Sequence, residues 1–157
     1  MSVGRRILFI INPHAGRSEI RSKLLDILQI FTEAGFTTEV RPTVHAGEIP
    51  DILQSRYGHY DLVVSCGGDG TLNETVNVLM LLLARPPPGY LPSRTFNHFV
   101  ASLGISRAMR DAARRTATRP SRPVDGRCFA QRLYPSPARS CAFPGRLSEP
   151  PAHTHPP

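Results

Sequence analysis

The sequence predicts an α/β fold, a three-layer α/β sandwich around a mostly parallel sheet. Two observations support this class. Short apolar runs rich in β-branched residues alternate with longer segments whose apolar residues recur at helical spacing. The runs are continuous instead of alternating with polar residues, which is typical of strands covered by helices on both faces. Alternation of this kind predicts parallel strands that are joined by right-handed crossovers.

The first strand is predicted over residues 6–11, where an apolar run is closed by Asn12 and Pro13. A helix is expected from Ser18 onwards, and Gly35 stands where its C-terminal cap should be. The apolar residues that recur at helical spacing in this segment are Ile20, Leu24, Ile27, Leu28 and Phe31. The pattern predicts one helix that packs on the sheet.

Two more strand and helix pairs follow. Strands are predicted at residues 36–40 and 62–66, and helices at residues 48–57 and 71–84. Pro50 suits the first turn of the second helix, where a missing N–H costs nothing. The third strand leads directly into a GGDGT turn, so the third helix is expected to begin near Thr71.

Charge and proline are distributed unevenly along the 157 residues. Twelve of the 19 lysines and arginines and thirteen of the 16 prolines follow residue 84, and the whole chain carries a net charge of +7. The last part shows no sustained periodicity. We therefore predict a globular domain over residues 1–126 and a disordered, Pro- and Arg-rich tail over residues 127–157. No nucleic-acid-binding signature accompanies these arginines, so no specific nucleic-acid partner is predicted.

The global signals indicate a cytoplasmic setting. No secretory signal is visible, and the longest apolar run, residues 78–84, is far short of the ~20 residues that span a bilayer. The three cysteines, Cys66, Cys128 and Cys141, lack metal-ligand spacing, which is consistent with a reducing compartment. Cys66 is expected to end a buried strand.

A distinctive loop follows each of the three predicted strands: NPHAGR after the first, Thr43 after the second and GGDGT after the third. Because ligands of parallel sheets bind beyond the carboxyl ends of the strands, we expect these loops to converge. The glycines of GGDGT should adopt positive φ and let a ligand approach the backbone, while the following helix offers N–H groups to an anion. The pattern predicts a phosphate site.

An acidic side chain, Asp69, lies inside this predicted phosphate loop. A carboxylate there repels a phosphate unless a cation or an incoming hydroxyl lies between them, so Asp69 indicates Mg²⁺ or proton handling. The alternative is a purely structural strand-to-helix turn with Thr71 as the N-cap. The loop has neither the ending of a Walker A motif nor the spacing of a dinucleotide motif.

Taken in order, NPHAGR, Thr43 with HAGE, GGDGTLNETVN and YLPSRTFNHFVASLGI resemble the catalytic domain of the diacylglycerol kinase family of lipid kinases. The resemblance spans roughly residues 6–125. GGDGT alone is less specific, because NAD kinases and phosphofructokinases carry related loops. The surrounding NPxxG, LNExxN and PxxTxNxF patterns favour the lipid kinases.

The resemblance implies an ATP-dependent kinase that uses Mg²⁺ and transfers the γ-phosphoryl group to a lipid hydroxyl, by default that of diacylglycerol, giving phosphatidic acid. It implies peripheral contact with membrane lipid and a catalytic role for Asp69, and it leaves the metal ligands and the oligomeric state open. A role for Glu74 also stays open, because a carboxylate in the first turns of a helix is favourable without any ligand. The nucleotide-binding residues that the resemblance implies are Asn12, Pro13, His14, Ala15, Gly16, Thr43, Gly67, Gly68, Asp69, Gly70, Thr71, Leu72, Asn73 and Thr95.

The chain departs from the family pattern in two places. Beside Thr95, Arg94 replaces the family's glycine and His98 replaces its aspartate. The family's catalytic domain also continues into a β-rich second domain that residues 127–157 do not resemble, so the sequence resembles a truncated form. Three interpretations therefore stay open: a lipid kinase, an inactive truncated nucleotide-binding fragment of one, and an NAD kinase-like enzyme, which the NPHAGR loop disfavours.

Overall fold

The structure, a computed structural model, describes residues 4–16, 19–82, 86–93, 100 and 104–119, and the backbone of residues 121–125 and 140–144. Strands and helices alternate along most of this part of the chain. The elements are β1 (Arg5–Ile11), α1 (Glu19–Glu33), β2 (Phe36–Pro42), α2 (Ile49–Arg56) with a 3₁₀ turn at Tyr57–His59, β3 (Leu62–Gly67), α3 (Asp69–Leu81), β4 (Pro88–Pro92), α4 (Met109–Thr118), β5 (Ser121–Asp125) and β6 (Ser140–Pro144).

Four strands form one parallel sheet in the order β2-β1-β3-β4. In its centre Phe9 of β1 is paired with Val40 on one side and Val64 on the other. The chain moves outward from β1 to β2 and then crosses back to β3, so the topological switch point lies between β1 and β3. Ligands of open parallel sheets bind at the carboxyl side of such a point.

Helices cover both faces of the sheet. Alternate residues of β1 point to opposite sides, so Ile7 and Phe9 pack with α1 and α4, whereas Leu8 and Ile10 pack with α2 and α3. All four side chains are fully buried. This arrangement confirms the predicted three-layer α/β sandwich and explains why β1 reads as a continuous apolar run.

The predicted elements are confirmed with small shifts at their ends, and the start of α3 is the one that matters for function. This helix begins at Asp69 and has Gly68 as its N-cap. The interpretation of Thr71 as the N-cap is therefore wrong. Gly67 ends β3, Gly68 caps α3, and Asp69, Gly70 and Thr71 all lie in the first turn of the helix, so no separate turn comes before it.

Strand β4 was not predicted, because PGYLP with its two prolines reads as a loop. Proline is tolerated here since β4 forms an edge of the four-stranded sheet, where one side of the strand needs no N–H donor. All five residues of β4 are buried, and the Tyr90 hydroxyl donates to the Gly67 carbonyl oxygen at 2.6 Å. Strand β4 thereby supports the end of β3.

Strands β5 and β6 form a separate antiparallel pair. A short strand, β6, therefore lies inside the segment 127–157 that the sequence predicts to be disordered. The rest of that segment lies outside the described residues, and the domain boundary at residue 126 stays a prediction. Within the described part of the chain, the helices are too short or too polar to span a bilayer.

Candidate active site

A cleft of about 610 Å³ opens at the carboxyl edge of the sheet. The three loops that follow β1, β2 and β3 meet there, as the sequence predicts, and the first turns of α2 and α3 complete the walls. The lining residues are Asn12, His14, Ala15, Thr43, His45, Ala46, Ile49, Gly68, Asp69, Gly70, Thr71 and Glu74. The cleft therefore lies at the topological switch point of the sheet.

Asn12 joins the first and third loops across this point. Its backbone N–H donates to the Cys66 carbonyl oxygen at 2.9 Å, and its side-chain oxygen accepts a hydrogen bond from the His14 N–H at 3.0 Å. Its amide Nδ2 lies 3.4 Å from Thr71 Oγ1. One asparagine thus shapes the turn after β1 and holds it beside the start of α3.

Gly16 ends the NPHAG turn in a backbone conformation that favours glycine, with φ of +79°. A β-carbon at this position would lie 2.2 Å from the Ser93 carbonyl oxygen, which belongs to the backbone just after β4. Gly16 does not line the cleft. Its contribution is to let the turn close tightly against the neighbouring chain.

Thr43 begins the second wall of the cleft. Its N–H donates to the Ile11 carbonyl oxygen at 2.8 Å and its side chain is buried. The following N–H groups of Val44 and His45 donate to Glu48 Oε2 at 2.6 and 3.4 Å. The hydrogen bond from Val44 holds the pKa of the Glu48 carboxyl below its ordinary value. The loop that follows Thr43 is therefore held in shape by the carboxylate of Glu48.

The glycines of GGDGT have backbone conformations that any residue can adopt. Positive φ occurs at four described glycines, Gly16, Gly35, Gly47 and Gly104, so the prediction of positive φ in GGDGT is wrong. At Gly67 a β-carbon would lie 2.3 Å from Thr71 Oγ1. At Gly68 and Gly70, by contrast, a β-carbon would meet no atom within 4 Å. These two glycines border open space in the cleft.

The N-terminus of α3 faces the same space. The hydrogen bond from Leu72 N to the Gly68 carbonyl oxygen, at 3.2 Å, closes the first turn. The N–H groups of a first helical turn precede this bond and point out of the helix start, where the dipole is positive. Asp69 lines the cleft beside them, and Thr71 is 6% exposed. The site therefore combines an anion-binding backbone with a carboxylate.

Glu74 lines the cleft one turn further along α3. Ile49, the first residue of α2, lines the same part of the cleft. Burial raises the pKa of Glu74 above its ordinary value, and the neighbouring backbone of Ile49 partly opposes this. The sequence left the role of Glu74 open, and the structure brings it into the cleft.

Several residues implied by the resemblance do not line the cleft: Pro13, Gly16, Gly67, Leu72 and Asn73. Leu72 is fully buried and packs with Val76 and Tyr90, because the helical phase of α3 turns it toward the core. Thr95 lies outside the described residues, as do Arg94 and His98.

Sequence reasoning missed three lining residues altogether: His45, Ala46 and Ile49. The signal for the first two was the HAGE segment directly after Thr43, which the resemblance includes. Ile49 gave no signal, since an apolar residue at a helix start reads as part of the core.

The described residues contain no cluster of three or more His, Cys, Asp or Glu that could hold a metal ion unaided. Cys66 is fully buried, and burial raises its pKa to about 12, so it stays a neutral thiol, as the sequence predicts for a small buried residue. Asp69 and Glu74 are the two carboxylates in the cleft lining.

A parallel α/β sandwich with a glycine-rich helix start at its switch point offers the N–H groups and positive dipole of a helix N-terminus at the edge where ligands of such sheets bind. The family model described as the diacylglycerol kinase catalytic domain matches residues 6–127. The chain belongs to this family.

Individual relatives agree with the family match. The chain is 37% identical over 123 residues to a diacylglycerol kinase of Bacillus subtilis (strain 168), covering 77% of this chain and 41% of that protein. It is 33% identical over 102 residues to a diacylglycerol kinase of Staphylococcus aureus (strain bovine RF122 / ET3-1), covering 64% and 32%. The chain therefore spans less than half the length of these curated relatives.

The fold is also similar to that of a solved structure. The crystal structure of a diacylglycerol kinase from Bacillus anthracis str. Sterne matches with a TM-score of 0.70 and 29% sequence identity. The match covers 80% of this chain and 43% of that one. Both the sequence and the fold therefore relate the chain to one part of these longer proteins.

Proposed function

We propose that this chain carries the ATP-binding half of a lipid kinase and that ATP binds in the cleft at the carboxyl edge of the sheet. The observation that carries the proposal is the start of α3. Its first turn faces the cleft, Gly68 and Gly70 leave room for a ligand against the backbone, and Asp69 stands beside them. A triphosphate satisfies this combination of N–H groups, open space and positive dipole.

The remaining walls suit the rest of a nucleotide. Asn12, His14 and Ala15 line one side and Thr43, His45 and Ala46 the other, so polar groups and small side chains alternate around the space. Each loop is fixed by hydrogen bonds of its own, which prepares the cleft before a ligand arrives.

Mg²⁺ fits the chemistry of this site. The ion prefers oxygen ligands and is commonly held by one or two carboxylates together with substrate phosphates, so a complete protein cage is not required. We propose Asp69 as the residue that holds it. When bound, the ion would neutralise charge on the transferring phosphoryl group.

Diacylglycerol is the acceptor that we propose, because the relatives are named diacylglycerol kinases, and the product is then phosphatidic acid. A lipid acceptor requires peripheral contact with a membrane. The exposed side chains of Arg107 and Arg114 on and beside α4 supply positive charge for such contact. Since ATP is the donor, we place the protein in the cytoplasm.

The proposal is tested by transfer of labelled phosphate from ATP to diacylglycerol in mixed micelles. The purified chain is compared with Asp69→Asn, which keeps the size of the side chain and removes its charge. We expect Asp69→Asn to lower transfer by about a hundredfold or more, as loss of a catalytic electrostatic group does. ATP binding without transfer would mean that the chain acts alone only as a nucleotide-binding fragment, and absence of both would contradict the proposal.

A further inference from the structure

The peptide group that joins Gly67 to Gly68 lies between the end of β3 and the start of α3. Its carbonyl oxygen accepts two hydrogen bonds, from the Tyr90 hydroxyl at 2.6 Å and from the Ser93 N–H at 3.1 Å. We propose that Tyr90 is a positioning residue whose hydroxyl orients this peptide so that the Gly68 N–H faces the phosphates of a bound nucleotide. This inference rests on the proposed binding of ATP in the cleft and adds a residue that acts on it from the core.

The carbonyl and the N–H of one peptide group are fixed relative to each other. The bond between Gly67 and Gly68 is trans, and in a planar trans group the N–H points away from the carbonyl oxygen. The Gly67 oxygen points toward β4, so the Gly68 N–H points toward the other side of β3, where β1 lies. Gly68 and the loop after β1 line the cleft there. A hydrogen bond to the carbonyl therefore also determines where the N–H can donate.

Tyr90 can orient this peptide because its own position is fixed. The side chain is 2% exposed, and its partner in the sheet is Ser65, two residues before Gly67. The buried side chains that pack with it come from α3 and from the chain beyond β4: Leu72, Val76 and Val100. A buried tyrosine hydroxyl needs a hydrogen-bond partner, and the Gly67 oxygen supplies it.

The fold alone does not require this hydroxyl. The Ser93 N–H already donates to the Gly67 oxygen, and a phenyl ring would fill the same space in the core. A second donor on one carbonyl polarises the peptide group further, which strengthens its N–H as a donor to an anion. The hydroxyl of Tyr90 therefore matters most when a phosphate is the acceptor.

The variant Tyr90→Phe removes the hydroxyl and keeps the ring. Tyr60→Phe is the matched control, because Tyr60 is also buried and its hydroxyl donates to Glu39 Oε2. Tyr60 directly precedes β3, so it lies at the edge of the sheet opposite to the cleft. Each variant loses one hydrogen bond of a buried hydroxyl, and we expect each to lower the unfolding temperature by about 2–6 °C.

Nuclear magnetic resonance of the nucleotide-free chain tests the orientation of the peptide. The resonance of a carbonyl carbon moves upfield when its oxygen loses a hydrogen bond, so we expect this change at Gly67 in Tyr90→Phe and not in Tyr60→Phe. The amide proton of Gly68 should move as well, since it belongs to the same peptide group. Unchanged resonances of both atoms in folded Tyr90→Phe would overturn the proposal, whether or not ATP binds.

Calorimetric titration with ATP and Mg²⁺, beside a titration with adenosine, tests the consequence for the ligand. We expect Tyr90→Phe to bind ATP about tenfold more weakly and adenosine within about twofold of the unchanged chain, because only phosphates meet the Gly68 N–H. Tyr60→Phe should bind both ligands as the unchanged chain does. Equal losses for ATP and adenosine, or for both variants, would overturn the positioning role, since they would reflect a general loosening of the cleft.

The unchanged chain distinguishes failure of this inference from failure of the proposed function. If the unchanged chain binds no ATP, the proposed function fails, and the role of Tyr90 in ATP binding fails with it. If the unchanged chain binds ATP and Tyr90→Phe binds it equally well, the positioning role alone is overturned.

Discussion

Four glycines in two loops of the cleft divide into two pairs. At Gly16 and Gly67 a β-carbon would lie 2.2 Å from Ser93 O and 2.3 Å from Thr71 Oγ1, whereas at Gly68 and Gly70 it would meet nothing within 4 Å. The fold itself requires the first pair. At Gly68 and Gly70 no neighbouring atom of the folded chain excludes a side chain. The absence of a side chain there therefore matters only to a molecule that enters the cleft.

Replacement of a glycine of the first pair should have the largest effect on stability. We expect Gly16→Ala to lower the free energy of unfolding by about 2–5 kcal/mol, which combines left-handed backbone strain with overpacking against a backbone oxygen. Urea denaturation followed by circular dichroism measures this change. A loss below about 0.5 kcal/mol would show that the turn can move away from Ser93, and the distinction between the pairs would weaken.

A glycine of the second pair should behave in the opposite way. Gly70 lies exposed in the first turn of α3, where its φ is not positive. We expect Gly70→Ala to raise the free energy of unfolding by about 0.5 kcal/mol, because alanine is the better helix former. The same denaturation experiment measures it. Destabilisation similar to that of Gly16→Ala would remove the contrast.

The sequence predicts those parts of the fold that leave a local pattern of residues. The continuous apolar runs of β1 and β3 were sufficient, because burial on both faces leaves a local pattern. Strand β4 left no such local pattern. Its prolines are tolerated only because the strand lies at the edge of the sheet, and edge position is a property of the tertiary structure.

The residues of the candidate site could also be predicted only where a pattern in the sequence indicates their place. Loops at the carboxyl ends of parallel strands can be placed from topology, which is why Asn12, Thr43 and Asp69 were predicted and do line the cleft. The helix start at Asp69 was missed because GGDGT contains three glycines, and glycine has a low helix propensity. Leu72 was carried over with its motif, although the helical phase turns it into the core.

Glu74 should give a smaller, pH-dependent effect. Its pKa is raised above the ordinary value of 4.5, so the folded chain favours the neutral carboxyl, and stability falls as the pH rises from 4.5 through the folded-state pKa. Above that range the ionised carboxyl costs stability. We therefore expect Glu74→Gln to be more stable at pH 7 by about 0.5 kcal/mol or less, given solvent screening of a half-buried group.

Thermal unfolding at a series of pH values measures this difference. The advantage of Glu74→Gln should shrink as the pH is lowered and vanish below pH 4.5, where Glu74 is neutral in both the folded and the unfolded chain. An advantage that stays constant down to low pH would mean that ionisation of Glu74 is not its cause.

The most direct test of the account is calorimetric titration of Gly68→Val with ATP and Mg²⁺, beside the unchanged chain. The φ of −85° at Gly68 suits any residue, and a β-carbon there meets open space, so the variant should fold, with the free energy of unfolding lowered by about 1 kcal/mol because valine is a poor N-cap. Its branched side chain would occupy the position where phosphates approach the backbone, and we expect ATP affinity to fall by about a hundredfold or more. Unchanged affinity in a folded Gly68→Val variant would mean that ATP does not bind at the start of α3.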